Sequence, residues 1–177
     1  MSMIKGLFGG RRRSVFGPGR ELAEYRSILV QHTAAIDERL RDVAEDIDAL
    51  RRRSLDPDEI VTRFTIHEEA LDAEAEALRE MLAPEDLHGL HMEYEANLER
   101  ALRGIVTVER GCSITRMRHR PPDDDEPFIY YKRGHSNVSN ARLRMAEIVE
   151  VMANWEPGKP ADATVTTRLE RQKEIQG

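Results

Sequence analysis

The sequence contains a single cysteine and few aromatic residues. Cys112 is the only cysteine among 177 residues, so neither an intrachain disulfide nor a metal site built from paired cysteines can form. A chain without disulfides suits a reducing compartment, and we expect a cytoplasmic protein. Aromatic residues make up 5% of the chain and charged residues 34%, which is typical of long solvent-exposed helices around a narrow aliphatic core.

Several functional classes lack their usual sequence features here. No apolar run approaches the roughly 20 residues that cross a bilayer, and no apolar core of a secretory signal follows the basic N-terminal residues. The formal net charge is −6, so nucleic-acid binding is not expected. Neither a phosphate-binding glycine loop nor a G-x-S-x-G motif occurs. We therefore predict no catalytic residues, and an enzyme is the less favoured interpretation.

Apolar or aromatic residues instead recur at steps of three or four, which places them on one face of a helix. The longest such series predicts a helix from about Arg20 to Arg53. Its members are Leu22, Tyr25, Leu29, His32, Ile36, Leu40, Val43, Ile47 and Leu50.

Three later segments repeat this spacing. Asp56 as a cap, Pro57 at the first helical position and Glu59 three residues after the cap predict the start of a second helix. The predicted helices span about 57–82, then 84 to before Pro121, and then 127–155. Short connections between long helices favour an all-α, up-down-up-down four-helix bundle with antiparallel helices and flexible termini. We expect a flexible basic arm over residues 1–19, the bundle over 20–156 and a polar C-terminal tail over 157–177.

One segment has an alternative interpretation. The stretch 105–118 is rich in Val, Ile and Thr and has Gly104 and Gly111 beside and within it. It can also form a strand that pairs with 128–132 across a turn. The unbroken helical spacing favours a helix, and the hairpin over 105–132 stays open at this point.

The N-terminal arm combines apolar and basic residues. Such a segment can insert apolar side chains at an anionic membrane while its basic residues contribute about 1 kcal/mol each near the surface, or it can dock on a protein. The residues predicted to bind a membrane or partner are Ile4, Lys5, Leu7, Phe8, Arg11, Arg12 and Arg13.

A group of histidines suggests a metal site at one end of the bundle. Glu85 and His88 form a Glu-x-x-His step, the unit that holds metals in carboxylate-bridged bundles. With turns near residues 55 and 83, His32 and His88 fall at the same end of the bundle, and His91 lies within a turn. Imidazole and carboxylate ligands suit Zn, Fe or Mn. We predict His32, His88, His91 and Glu85 as ligands of a divalent metal, with no other cofactor.

These observations favour a non-catalytic interaction or structural module, cytoplasmic or peripheral to a membrane, tethered to a partner or membrane surface by its basic arm. Long Leu- and Met-rich helices make a protein partner or self-association an expected property. The alternative is a small bundle that binds a metal or ligand through the His/Glu cluster and acts as a metalloenzyme.

Overall fold

The computed structural model describes residues 18–117 and 125–158, and all regular structure there is helical. Four helices form: α1 (Pro18–Arg51), α2 (Pro57–Glu80), α3 (His88–Arg116) and α4 (Pro127–Asn154). A 3₁₀ turn over Glu85–Leu87 precedes α3. The predicted all-α class is confirmed. The predicted arm, except its last two residues, lies outside the described residues, as does the predicted tail from residue 159.

The helix ends follow from local chemistry. Pro18 opens α1, two residues before the predicted start, because proline suits the first helical position. Arg53, with a φ of 58°, adopts a left-handed conformation just after α1 ends. Asp56 caps α2 as predicted, accepting a 2.8 Å hydrogen bond from the Asp58 amide. Glu59 bonds instead to Arg63 at 2.6 Å.

The hairpin alternative is wrong for the residues that the structure describes. The stretch from Ile105 to Arg116 belongs to α3. Gly104 lies where α3 meets α4, because a Cβ added there would be 3.0 Å from the carbonyl oxygen of Gly134. Gly104 and Gly134 therefore permit close helix contact rather than a strand or turn.

The core runs along the predicted apolar face of each helix. It includes Leu29 and Ile36 of α1, Phe64 of α2, Leu98 of α3 and Ile148 of α4, each almost completely buried. Each helix contacts the next in sequence, α4 also contacts α1, and the contact between α3 and α4 is the most extensive. Within the described ranges, no helix combines the length and apolar character of a membrane span.

Candidate functional site

His91 is buried and both of its ring nitrogens have partners within the core. Its Nδ1 lies 3.0 Å from the Tyr25 hydroxyl, and its Nε2 lies 3.1 Å from the carbonyl oxygen of Leu78. Burial, followed by the charge of Glu95, raises the pKa of Tyr25 to about 12, so the phenol stays protonated. The Tyr25 hydroxyl and the Leu78 carbonyl thus occupy both ring nitrogens of His91, and a carboxylate oxygen of Glu95 lies 3.3 Å from Nε2.

Two of the other predicted ligands, His32 and Glu85, line one groove together with Tyr25. His32 is 2.6 Å from a carboxylate oxygen of Glu74, and it follows Tyr25 by seven residues, about 10 Å along α1. His88 and Glu85 are exposed. Across the described segments, no three His, Cys, Asp or Glu side chains form a group that could hold a metal ion.

Helical phase explains why the predicted cluster is not gathered into one site. His91 is four residues after Leu87 and three before Tyr94, so it shares their buried face. His88 is one residue after Leu87, about 100° further round the helix. The carbonyl oxygen of Leu78 contacts His91. His88 lies three residues earlier, which is almost one turn of α3.

Two further titratable groups in the interior have no evident chemical role. Cys112 is buried, and burial raises the pKa of its thiol to about 11. His67 lies 3.8 Å from Asp46, its Nδ1 has no hydrogen-bond partner, and burial lowers its pKa despite the opposing charge of Asp46. A thiol with a raised pKa is a poor nucleophile, and His67 faces a single carboxylate at a long distance.

A surface groove of about 660 Å³ lies between the start of α1 and the segment from Ala77 to Glu85. Apolar side chains line its floor, among them Ile28 and Leu82, and Leu82 is 88% exposed. Four carboxylates belong to its rim. We call this feature the acidic groove, and its rim carboxylates are Glu21, Glu24, Glu80 and Glu85.

The charge of the acidic groove is not neutralised locally. Within the described part of the chain, none of the four rim carboxylates has an ion-pair partner. Several acidic side chains elsewhere in the described part of the chain do pair with a neighbouring helix, as Glu93 does with Arg144 at 2.7 Å. The groove therefore presents apolar surface together with uncompensated negative charge, which suits a ligand that is both apolar and basic.

A second groove, of about 380 Å³, lies between α1 and α4 and is lined mainly by apolar side chains. Its charged residues include Asp37 and Arg142, which form two hydrogen bonds of 2.6 and 3.0 Å. Because Asp37 and Arg142 neutralise each other, the second groove offers mainly apolar contact and one further carboxylate, that of Glu150.

The predicted binding residues of the arm, from Ile4 to Arg13, lie outside the described residues. Sequence reasoning selected two residues that line the acidic groove, His32 and Glu85, as metal ligands, but it did not predict the groove. Glu21 and Glu24 are three residues apart and so share one face of α1, and Leu82 directly follows the last turn of α2. The two carboxylates therefore lie at the start of α1 and the apolar residue lies after the end of α2. Only the packing of α1 on α2 brings them together.

Comparison with protein-family models, with curated proteins and with solved structures finds no match to this chain.

Proposed function

We propose that this protein is a non-catalytic interaction module whose basic N-terminal arm tethers it to an anionic membrane surface or to a protein partner. The acidic groove is the observation that carries this proposal. Its uncovered apolar floor and unpaired carboxylates are features of an interaction surface, whereas both ring nitrogens of the buried His91 are engaged with Tyr25 and the Leu78 carbonyl.

The proposal includes an up-down-up-down course of antiparallel helices. Contacts near the end and near the middle of α1 support it: Asp46 pairs with Arg63 early in α2, and His32 pairs with Glu74 further along α2. The order of partners is therefore reversed between the two helices. Between α3 and α4, Thr115 near the end of α3 lies 2.7 Å from Tyr131 near the start of α4.

The described chain begins beside the acidic groove, so the arm is covalently attached at this point. Residues 1–17 precede Pro18, and α1 begins beside the acidic groove. The arm's apolar residues suit insertion into a membrane interface, and its four basic residues favour anionic lipids or an acidic protein surface. A tether at this end would hold the acidic groove close to the membrane or partner.

A vesicle-flotation experiment on the full chain tests the tether. We expect wild type to float at low salt with vesicles containing 30% anionic lipid, because salt screens the attraction between the arm and the lipid. Binding to neutral vesicles should be mostly lost, because the attraction depends on the charge of the lipid. The triple substitution Arg11→Gln/Arg12→Gln/Arg13→Gln should weaken binding at least tenfold.

The matched control neutralises three exposed arginines of the helices, namely Arg41, Arg52 and Arg100, and gives the same change in net charge. Equal binding by the arm variant and this control would contradict the tether. If wild type does not float, affinity capture with both variants tests the protein-partner form. Loss of a specific partner in the arm variant alone would support that form.

A further inference from the structure

The arm and the acidic groove have opposite charge within one chain. Residues 1–17 contain four of the 27 Lys and Arg and none of the 33 Asp and Glu, which leaves a formal charge of −10 on the other 160 residues. The arm also contains Leu7 and Phe8, which suit the apolar floor formed by Ile28 and Leu82. The chain therefore contains a segment whose chemistry matches the groove.

We propose that the acidic groove binds residues 4–13 of its own chain and so competes with the membrane or partner for the arm. This inference rests on the proposed function, because it assigns a regulatory role to the same arm. In the bound form, Arg11 to Arg13 face the rim carboxylates while the apolar residues cover the groove floor.

The length of the chain permits this contact. Arg13 is five residues before Pro18, and an extended chain of that length spans up to about 17 Å. Glu21 and Glu24 lie within the first two turns of α1, less than about 10 Å along the helix from Pro18. The basic residues can therefore reach the rim without disturbing α1.

The connection through Pro18 favours the arm over a free ligand. A single exposed ion pair is weak and is further weakened by salt. A covalent link of a few residues, however, raises the effective concentration of the tethered ligand to the millimolar range. A contact too weak to form between separate molecules can thus be populated within one chain, yet still be displaced by a surface that binds the arm more tightly.

Trypsin cleavage after Arg11, Arg12 and Arg13 measures how accessible the arm is in the full chain. The groove variant is Glu24→Lys/Glu80→Lys/Glu85→Lys, and all three positions are exposed, so we expect the fold to be retained. We expect the initial cleavage rate at low salt to rise roughly fivefold or more, because three attractive contacts become repulsive. In 0.5 M salt, wild type should approach the rate of the groove variant.

The matched control reverses three exposed carboxylates that lie away from the acidic groove and have no ion-pair partner among the described residues. It has the same net charge as the groove variant, and we expect it to be cleaved at the wild-type rate. Its substitutions are Glu38→Lys, Glu69→Lys and Glu150→Lys. Circular dichroism checks that each variant is folded.

Flotation of the same three proteins separates this inference from the proposed function. If the groove variant is cleaved faster and binds vesicles more tightly than the control, the result supports both the groove contact and the tether. Equal cleavage of the two variants overturns the groove contact, even where wild type binds vesicles through its arm. Faster cleavage without vesicle or partner binding supports the groove contact and contradicts the tether. Protection that increases with protein concentration assigns the groove to a second copy and overturns the proposed contact within one chain.

Discussion

The close contact between α3 and α4 predicts that Gly134→Ala destabilises the protein. A Cβ at Gly134 would collide with the side chain of Val108 and would lie 2.6 Å from the carbonyl oxygen of Gly104. Backbone cannot rotate away as a flexible side chain can, so the two helices would have to separate by roughly 0.8 Å to reach ordinary contact. Such separation disturbs the most extensive helix pair in the protein.

The magnitude follows from two opposing effects. Overpacking of a well-packed interface costs about 1–3 kcal/mol, and contact with backbone places this site at the upper end of that range. Alanine is about 1 kcal/mol better than glycine within a helix. We expect Gly134→Ala to lower the free energy of unfolding by about 2 kcal/mol.

Urea denaturation measures this loss. With a denaturant dependence of about 2 kcal/mol per molar, the midpoint should fall by about 1 M. Gly89→Ala is the matched control, because no atom lies within 4 Å of a Cβ added there, and the helical preference of alanine should leave stability equal or slightly raised. A midpoint for Gly134→Ala at or above that of wild type would refute the close contact.

Three further predictions concern the interior. Tyr25→Phe should cost about 1–2 kcal/mol in urea denaturation because Nδ1 of His91 loses its hydroxyl partner; unchanged stability would contradict that bond. Burial lowers the pKa of His67 below its ordinary value of 6.5. As the pH falls, the unfolded chain therefore protonates this imidazole at a higher pH than the folded chain does, and the free energy of unfolding decreases as the pH drops through 6.5. His67→Gln should therefore lose less stability than wild type between pH 7.5 and 5.5, and an identical loss would contradict the assignment. Because the pKa of Cys112 is raised to about 11, its thiol should react with a disulfide reagent at pH 8 far more slowly in the folded chain than in urea; equal rates would contradict its burial.

The helices could be predicted from the sequence because burial imposes a period. Leu22 to Leu50 follow one face of α1, and the cap at Asp56 with Pro57 marks the start of α2. The segment 105–132 allows an alternative interpretation because β-branched residues are typical of strands and glycine is unfavourable within a helix. Whether Gly104 serves a strand or a close helix contact depends on what lies opposite, and a single sequence does not show that Gly134 is its partner.

The candidate site was harder to predict because it depends on which way each side chain faces. The spacing located His32, His88 and His91 near one end of the bundle, but an error of less than a turn decides whether two imidazoles meet. The spacing of His91 from Leu87 and Tyr94, four and three residues, indicates that His91 lies on the buried face of its helix. The acidic groove depends on two separate helix ends packing together, and no local pattern contains that information.

Hydrogen–deuterium exchange of the full chain, alone and with saturating anionic vesicles, tests the central claim most directly. The account predicts that residues 1–17 become protected, that exchange changes around the acidic groove, and that the opposite end near Asp56 is unaffected. Neutral vesicles should change none of these. Unchanged exchange over residues 1–17, or protection concentrated near Asp56, would contradict the assignment of the arm as a membrane tether.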